Sequence, residues 1–515
     1  PSGHSAACRR RLYTTGGLPI RVKNFLETPI AHQPDKGPST QTQSINAREK
    51  CTPDAACCTI YIERYLNWRD HAALHIQIET RMSNTSNGPD VHINLNVRGM
   101  RRSATVAINE RCNELLANGR EIFKLGLGQS PFPVPECVVE QLRINAFQKD
   151  YLPVTGLKAL REAVAGYHYR RDGFPATADD VLIGPGSKEL MFLLQLVYYG
   201  EVVIPTPAWV SYAPQAQIIG RQVQMIRSHS DSNWQLTPEQ LDTHCAKDPG
   251  KPRVVILNYP CNPTGRSYST DRLQAIAEIA RKYKLIVLSD EIYGETHHLG
   301  EHVSISRWYP EGTIISSGLS KWCGAGGWRL GTFTFSRELN WLLESMASVA
   351  SETYTSTSAP IQYAAIRAFK GGDDMEQYLT HCRKVLSALG QWVAAQLNAS
   401  GIATLTPEGG FYLLPDFSTL SPQLKDRGIH TSAQLCERLL EDTGVAVLPG
   451  SDFGCEPGEL IARLAYVDFD GTRILEAVDK LPAAAELDEA FLDSYCPKVT
   501  NATRRLCEWA AGSHL

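Results

Sequence analysis

Six short apolar runs alternate with helical patterns along the middle of this chain, and no other feature narrows its architecture so far. They are "DVLIGPG", "EVVIPTP", "RVVILNYP", "LIVLSDEIY", "TIISSG" and "LGTFTF". Alternate side chains of a strand point to opposite faces, so a run that is apolar at successive positions must be buried on both sides. Between the runs, apolar residues recur at helical spacing, as in Leu157, Leu160, Val164 and Tyr167. Doubly buried strands separated by helices predict an α/β domain, a largely parallel sheet with helices on both faces. An earlier helix is predicted around Ile108, Cys112, Leu115 and Leu116, opened by Ser103 and closed at Gly119. From about residue 375 the helical patterns lengthen, "QYLTHCRKVLSALGQWVAAQL" among them, and "GGFYLLPDF" and "ARLAYVDF" add strand-like runs. Those features predict a second domain of mixed α+β type. Residues 1–100 show no sustained period of 2 or 3.6 and contain polar stretches such as "DKGPSTQTQS".

Composition serves mainly to exclude. The 515 residues are 21% charged with a net charge of −4, which gives no electrostatic case for nucleic acid or an anionic membrane. No run of about 18 apolar residues occurs, so no spanning helix is expected. The 14 cysteines are scattered, and their only cluster, Cys51, Cys57 and Cys58, lacks the spacing of a zinc or redox motif. A reduced cytoplasmic enzyme is the expectation. Sequons at Asn84, Asn398 and Asn501 are read as chance, because no apolar signal segment precedes them. Residues 1–26 carry Arg9, Arg10, Arg11, Arg21 and Lys23 without an acid, which makes organelle targeting the alternative location.

In sheets of this type, ligands bind beyond the carboxyl ends of the strands, and four stretches fall there. "IGPGSKEL" ends a strand and opens a helix, so Gly186 and Ser187 could offer N–H groups and a hydroxyl to a phosphate; a plain strand-to-helix turn is the alternative. "NYPCNPTG" sets Asn262 before a stiffening proline, again either a site or a turn. "LSDEIY" sets Asp290 and Tyr293 just past an apolar strand, where a carboxylate must be paired or solvated. Trp209 in "PTPAWVSY" offers either a flat face to a planar ligand or a core contact. Glu295, His297, His298 and His302 fit no standard ligand spacing, and no metal site is expected.

Taken in chain order, Trp209, Asn262 in "NPTG", Asp290 and Tyr293 in "SDEIY", and Lys321 in "GLSKWCGAGGWRLG" resemble the class I/II aminotransferases of pyridoxal phosphate fold type I, the aspartate aminotransferase-like superfamily. The lysine stretch matches the class I pattern at every constrained position from Gly318 to Gly331, and similarity extends over roughly residues 100–480 through "LGLGQSPFPVP", "YLPVTGLKALREAV", "PEGGFYLLPDFS", "LPGSDFG" and "ARLAYV". The resemblance implies a large domain built on a mostly parallel seven-stranded sheet between helices, plus a smaller α+β domain. It sets the expected division: 1–100 an N-terminal extension of unknown structure, 101–150 a segment contributing to the small domain, 151–365 the large domain that binds pyridoxal phosphate, 366–490 the small domain, and 491–515 a tail.

The same resemblance implies roles. Lys321 would form an aldimine with the aldehyde of pyridoxal 5'-phosphate and later shuttle the substrate proton, a task for a titratable amine that arginine cannot perform. Arg329 would lie against the cofactor phosphate with Gly186, Ser187 and Lys188, the last acting mainly through its backbone. Asp290 would pair with the pyridinium nitrogen and keep it protonated. Asn262 and Tyr293 would bond the phenolic oxygen, Trp209 would stack on the ring, and Arg463 would take the substrate α-carboxylate in a bidentate fork. Gly128, Asn262 and Trp209 would border the substrate. Tyr151, with Thr355 as a second candidate, would reach the phosphate across a homodimer interface. Gly318 replaces a serine that many relatives place on the phosphate, a contact that is either missing here or supplied by Ser317 or Ser320.

The expected activity is transfer of an amino group from an L-amino acid to a 2-oxo acid by a ping-pong cycle, with small-molecule substrates and no nucleic acid or membrane partner. A lyase or carbon–carbon bond-forming enzyme on the same fold is the alternative, and an aminotransferase-like sensor domain a further one. "SVASETYTSTSAP" holds no arginine or lysine for a distal carboxylate, which disfavours an aspartate specialist of the best-known kind.

Overall fold

The computed structural model describes residues 92–100 and 102–512, together with four strand segments nearer the N-terminus. Two compact units divide the chain, Pro1–Val91 and His92–Leu515. In the first, Tyr13–Thr15 pairs antiparallel with Leu18–Ile20, and Cys58–Arg64 with Leu74–Thr80. The second pair corrects the expectation of no sustained period: "TIYIE" and "LHIQIE" alternate at period 2 over the length of a strand. Arg9, Arg10, Arg11, Arg21, Lys23, Cys51, Cys57 and Asn84 lie outside the described residues.

The second unit is built on seven strands: β1 (Val181–Gly184), β2 (Glu201–Thr206), β3 (Val223–Arg227), β4 (Arg253–Asn258), β5 (Ile286–Asp290), β6 (Thr313–Gly318) and β7 (Gly331–Phe335). Their spatial order is β1-β7-β6-β5-β4-β2-β3, and every pairing is parallel except the two made by β7. Six of them are the apolar runs read from the sequence. β3 is the one missed, because "VQMIR" sits at the sheet edge, half-buried or exposed, and needs no apolar run.

Both faces of the sheet are covered, as the doubly apolar strands require. Helices bearing on the site are α1 (Lys158–Asp172), α2 (Ser187–Val197) and α3 (Thr270–Lys282). Val202, Ile204, Val254, Ile256 and Leu288 share one core with Leu190, Leu193 and Leu194 of α2. The alternate residues Val203, Val255, Leu257 and Val287 pack against Leu273, Ile276 and Ala280 of α3 on the other face. Each fully buried aliphatic side chain contributes about 1.5–3 kcal/mol, and truncating Ile256 to alanine would cost about 2–5 kcal/mol. α3 starts where Ser269 accepts a hydrogen bond from the Arg272 N–H, and α1 stops at Gly173 with φ 69°.

A second core gathers around α4 (Asp373–Ala399), α5 (Pro497–Ala510) and a small antiparallel sheet of order β8-β10-β9, with β8 Tyr412–Leu413, β9 Leu448–Pro449 and β10 Ala462–Ala465. Residues read from sequence as a tail thus supply α5, whose Val499, Leu506 and Trp509 are buried in this core. Among the described residues no helix is long and apolar enough to cross a membrane.

Candidate active site

Sheet topology alone collects the candidate residues along one edge. Parallel strands β1, β2, β4, β5 and β6 all end there, and β7 runs the other way, so its first residue, Gly331, pairs with both Gly184 and Gly318 at the ends of β1 and β6. Trp209 follows β2, Asn262 follows β4, Asp290 ends β5 with Tyr293 just beyond it, and Lys321 and Arg329 lie on the loop from β6 to β7. Arg463 comes from β10, outside the large sheet.

Asp290 is the buried acid of the group. Tyr212 donates its hydroxyl hydrogen to Oδ2 at 2.5 Å, and Ser316 Oγ donates to Oδ1 at 3.3 Å. Burial pushes its pKa up from 3.8 to about 6, against the lowering by the Tyr212 hydrogen bond. Its backbone carbonyl accepts from Asn258 Nδ2 at 2.9 Å, and Asn258 Oδ1 in turn accepts from the Asn262 N–H at 2.8 Å, which ties the turn after β4 to the end of β5.

Lys321 Nζ donates to the Gly128 carbonyl at 2.7 Å and lies 5.4 Å from the centre of the Tyr293 ring. The Tyr293 and Tyr412 hydroxyls are 2.8 Å apart, and Tyr412 Oη is 3.4 Å from the Gly128 carbonyl. Gly128 is a glycine for space: a Cβ there would stand 1.9 Å from Tyr412 Oη. Arg463, 1% exposed, stacks its guanidinium 4.8 Å from the centre of the Tyr412 ring. It donates through Nη2 to the Gly126 carbonyl and through Nη1 to Asn262 Oδ1 at 3.5 Å, while its buried Nε has no partner. Burial lowers its pKa.

At the other end of the site, Gly186 adopts φ 98° at the start of α2, and a Cβ on it would meet Arg329 Nη2 at 2.1 Å. Arg329 is held by the carbonyls of Gly326 at 2.8 Å and Pro185 at 3.3 Å. The first N–H groups of α2, those of Ser187 and Lys188, have no acceptor within the helix. The Lys188 side chain does more than the sequence implied: its ammonium lies 4.9 Å from the centre of the Trp209 ring. Its pKa is lowered by burial first, then by the charges of Arg329 and Lys321. Among the described residues no carboxylate forms an ion pair with Lys188, Lys321 or Arg329. Three cations without an ion-pair partner among the described residues thus stand at this edge, which suits an anionic ligand.

Some expectations fare differently. Gly318 leaves no room for a serine, since a Cβ would lie 2.7 Å from the Leu330 carbonyl. Ser317 lines a polar cavity with Tyr167, His168, Glu291 and His302, and Ser320 is half-buried on the Lys321 loop. Tyr151, 89% exposed, and Thr355, also exposed, stand on the surface. Glu295 pairs with Arg171 at 2.8 Å and Arg383 at 2.6 Å, His297 Nδ1 accepts from the Glu301 N–H at 3.2 Å, His298 Nε2 is 3.3 Å from the Gly410 carbonyl and His302 Nε2 is 2.9 Å from Glu291, so the four residues weighed as ligands serve other contacts. Among the described residues no cluster could hold a metal ion. Tyr212 and Tyr412 were not singled out in the sequence, although both sit in stretches that carry the resemblance. Their roles arise from contacts 78 and 119 residues away along the chain.

The family model of aminotransferase class I and II matches residues 120–481. The chain belongs to that family. This aminotransferase is 32% identical over 369 residues to an aspartate aminotransferase of a Bacillus species, covering 70% of this chain and 91% of the relative. It is 30% identical over 399 residues to the asparagine–oxo-acid transaminase of Streptococcus mutans, covering 75% and 97%. Among solved structures, the aspartate aminotransferase of Thermus thermophilus with maleate aligns with a TM-score of 0.69 at 28% identity, over 81% of this chain and all of that one. Class I and II aminotransferases act on small molecules with pyridoxal phosphate. The donor set fits that group: an aldehyde needs a free amine, a phosphate needs the N–H groups and cation gathered where Gly186 has no side chain, and a pyridinium needs a buried acid.

Proposed function

We propose that this aminotransferase takes the amino group from an L-amino acid and passes it to a 2-oxo acid in two half-reactions, each bound at the site framed by Lys321, Asp290 and Arg463. When bound, pyridoxal phosphate supplies the aldehyde that accepts the nitrogen and the ring that makes the amino acid's Cα proton acidic. Lys321 would hold the cofactor through its amine, and its Nζ would move the proton at the substrate Cα. Asp290 would keep a proton on the pyridine nitrogen. Asn262 and Tyr293 would donate to the phenolic oxygen, Trp209 would cover the ring, and Gly186, Ser187, Lys188, Ser320 and Arg329 would bind the phosphate. Arg463 orients the α-carboxylate, with Gly128 at its side.

The observation that carries this reading is the convergence of a buried guanidinium having an unpartnered Nε with a reactive amine, joined through Tyr412 and the Gly128 carbonyl. The reading extends to a homodimer: Ile144, Phe147 and Tyr151 are 51%, 74% and 89% exposed, a strip a second copy would cover, with Tyr151 completing the neighbouring phosphate site. It extends also to the division into a large domain over 151–365 and a small one over 101–150 and 366–490, and to a reducing compartment such as the cytoplasm, which suits cysteines that are free from Cys112 to Cys507.

The names of the relatives support aspartate or asparagine as the donor to test first. The experiment is a half-reaction: holoprotein with a panel of L-amino acids and no acceptor, read by absorbance and mass spectrometry. A matching 2-oxo acid and the cofactor recovered as its amine are expected. Products formed with the cofactor still an aldehyde would replace transamination by lyase chemistry.

A further inference from the structure

Tyr412 is 1% exposed, and its phenol meets the site at three points: the Tyr293 hydroxyl at 2.8 Å, the Gly128 carbonyl at 3.4 Å and the guanidinium of Arg463 over its ring at 4.8 Å. Each phenol owns one proton, so between two hydroxyls one donates and the other accepts. The Gly128 carbonyl already accepts from Lys321 Nζ at 2.7 Å, and at 3.4 Å it is the poorer acceptor for Tyr412. With the Tyr293 proton given to the cofactor's phenolic oxygen, the role proposed above, the 2.8 Å contact is one in which Tyr412 donates and Tyr293 Oη accepts. Among the described residues that oxygen has no second partner, so the proton of Tyr293 remains to be given away from Tyr412.

We propose that Tyr412 is a positioning residue that fixes Tyr293 as a one-way hydrogen-bond donor into the site, toward the phenolic oxygen of the bound cofactor. The proposal rests on the role given to Tyr293 above. Burial holds the Tyr293 hydroxyl far above the ordinary tyrosine range, so it keeps the proton it donates. The charged groups facing the pair are Lys321 beside the Tyr293 ring, Arg463 over Tyr412, and Asp290. A hydroxyl that accepts a hydrogen bond donates a stronger one. Stronger donation favours the form of the cofactor whose phenolic oxygen carries full negative charge, and so lowers the pH midpoint of its visible absorption band.

The test is a pH titration of that band in wild-type, Tyr412→Phe and Tyr293→Phe holoenzymes and in the double variant, with thermal melts alongside. The midpoint is expected to rise by about half a pH unit in Tyr412→Phe and by more in Tyr293→Phe. The double variant should match Tyr293→Phe alone, because Tyr412 acts only through Tyr293. A Tyr412→Phe midpoint equal to wild type, with Tyr293→Phe shifted, overturns the proposal and leaves the role of Tyr293 standing, whatever the melts do. Equal midpoints in all four proteins would remove both.

Discussion

Arg329 occupies the space that a side chain on residue 186 would need, its Nη2 lying 2.1 Å from where a Cβ would stand. Arg329 has φ 56°, uncommon for a residue with a side chain, and is fastened there by the Gly326 and Pro185 carbonyls. The start of α2 and the loop before β7 are thus fitted to one another where the cofactor phosphate is proposed to bind.

Gly186→Ala should therefore displace Arg329 and strain a backbone at φ 98°. Affinity for pyridoxal phosphate is expected to fall about tenfold or more, with about 1–3 kcal/mol lost in stability. Equilibrium dialysis with the cofactor and denaturant melts of the cofactor-free protein check the two parts separately.

Lys321→Ala should lose the visible band of the covalently held cofactor and at least about a thousandfold in turnover, since among the described residues no second amine donates to the Gly128 carbonyl. Full turnover in this variant would overturn the assignment. Asp290→Ala should retain the cofactor weakly and turn over little.

Asp290 carries a pH signature of its own. Its folded pKa of about 6 exceeds the ordinary 3.8, so between those values the folded chain binds more protons than the unfolded one. Stability of the cofactor-free protein should fall as pH rises from about 4 to about 6 and then level, by at most about 3 kcal/mol from this group. Asp290→Asn should remove that part of the slope, which urea melts across the range would read.

Arg463→Lys should raise KM for the amino acid about a hundredfold while leaving cofactor affinity within about threefold, because an ammonium cannot form the bidentate fork. Steady-state kinetics and cofactor titration distinguish this from general damage to the buried site.

A chain starting at His92 should bind pyridoxal phosphate as the full chain does, since His92–Leu515 forms a compact unit by itself. Cofactor titration of the truncated protein is the check, and loss of all bound cofactor would count against it.

Local pattern determined much of this protein. Short runs apolar at successive positions, alternating with helical patterns, read as strands buried on two faces, so six strands and the α/β class were legible before any contact was known. The order Trp209, Asn262, Asp290, Tyr293, Lys321, Arg329 was legible too, through its resemblance to the class I/II aminotransferase pattern. Tertiary structure alone decided the rest. β3 is an edge strand without an apolar run. Tyr212 and Tyr412 matter only through hydroxyls brought to Asp290 and Tyr293 from distant segments. The ammonium of Lys188 reaches Trp209 by a rotamer that no spacing encodes. Hydrogen bonds and charge act over a few ångströms of space, whereas sequence records distance along the chain, and only folding converts the one into the other.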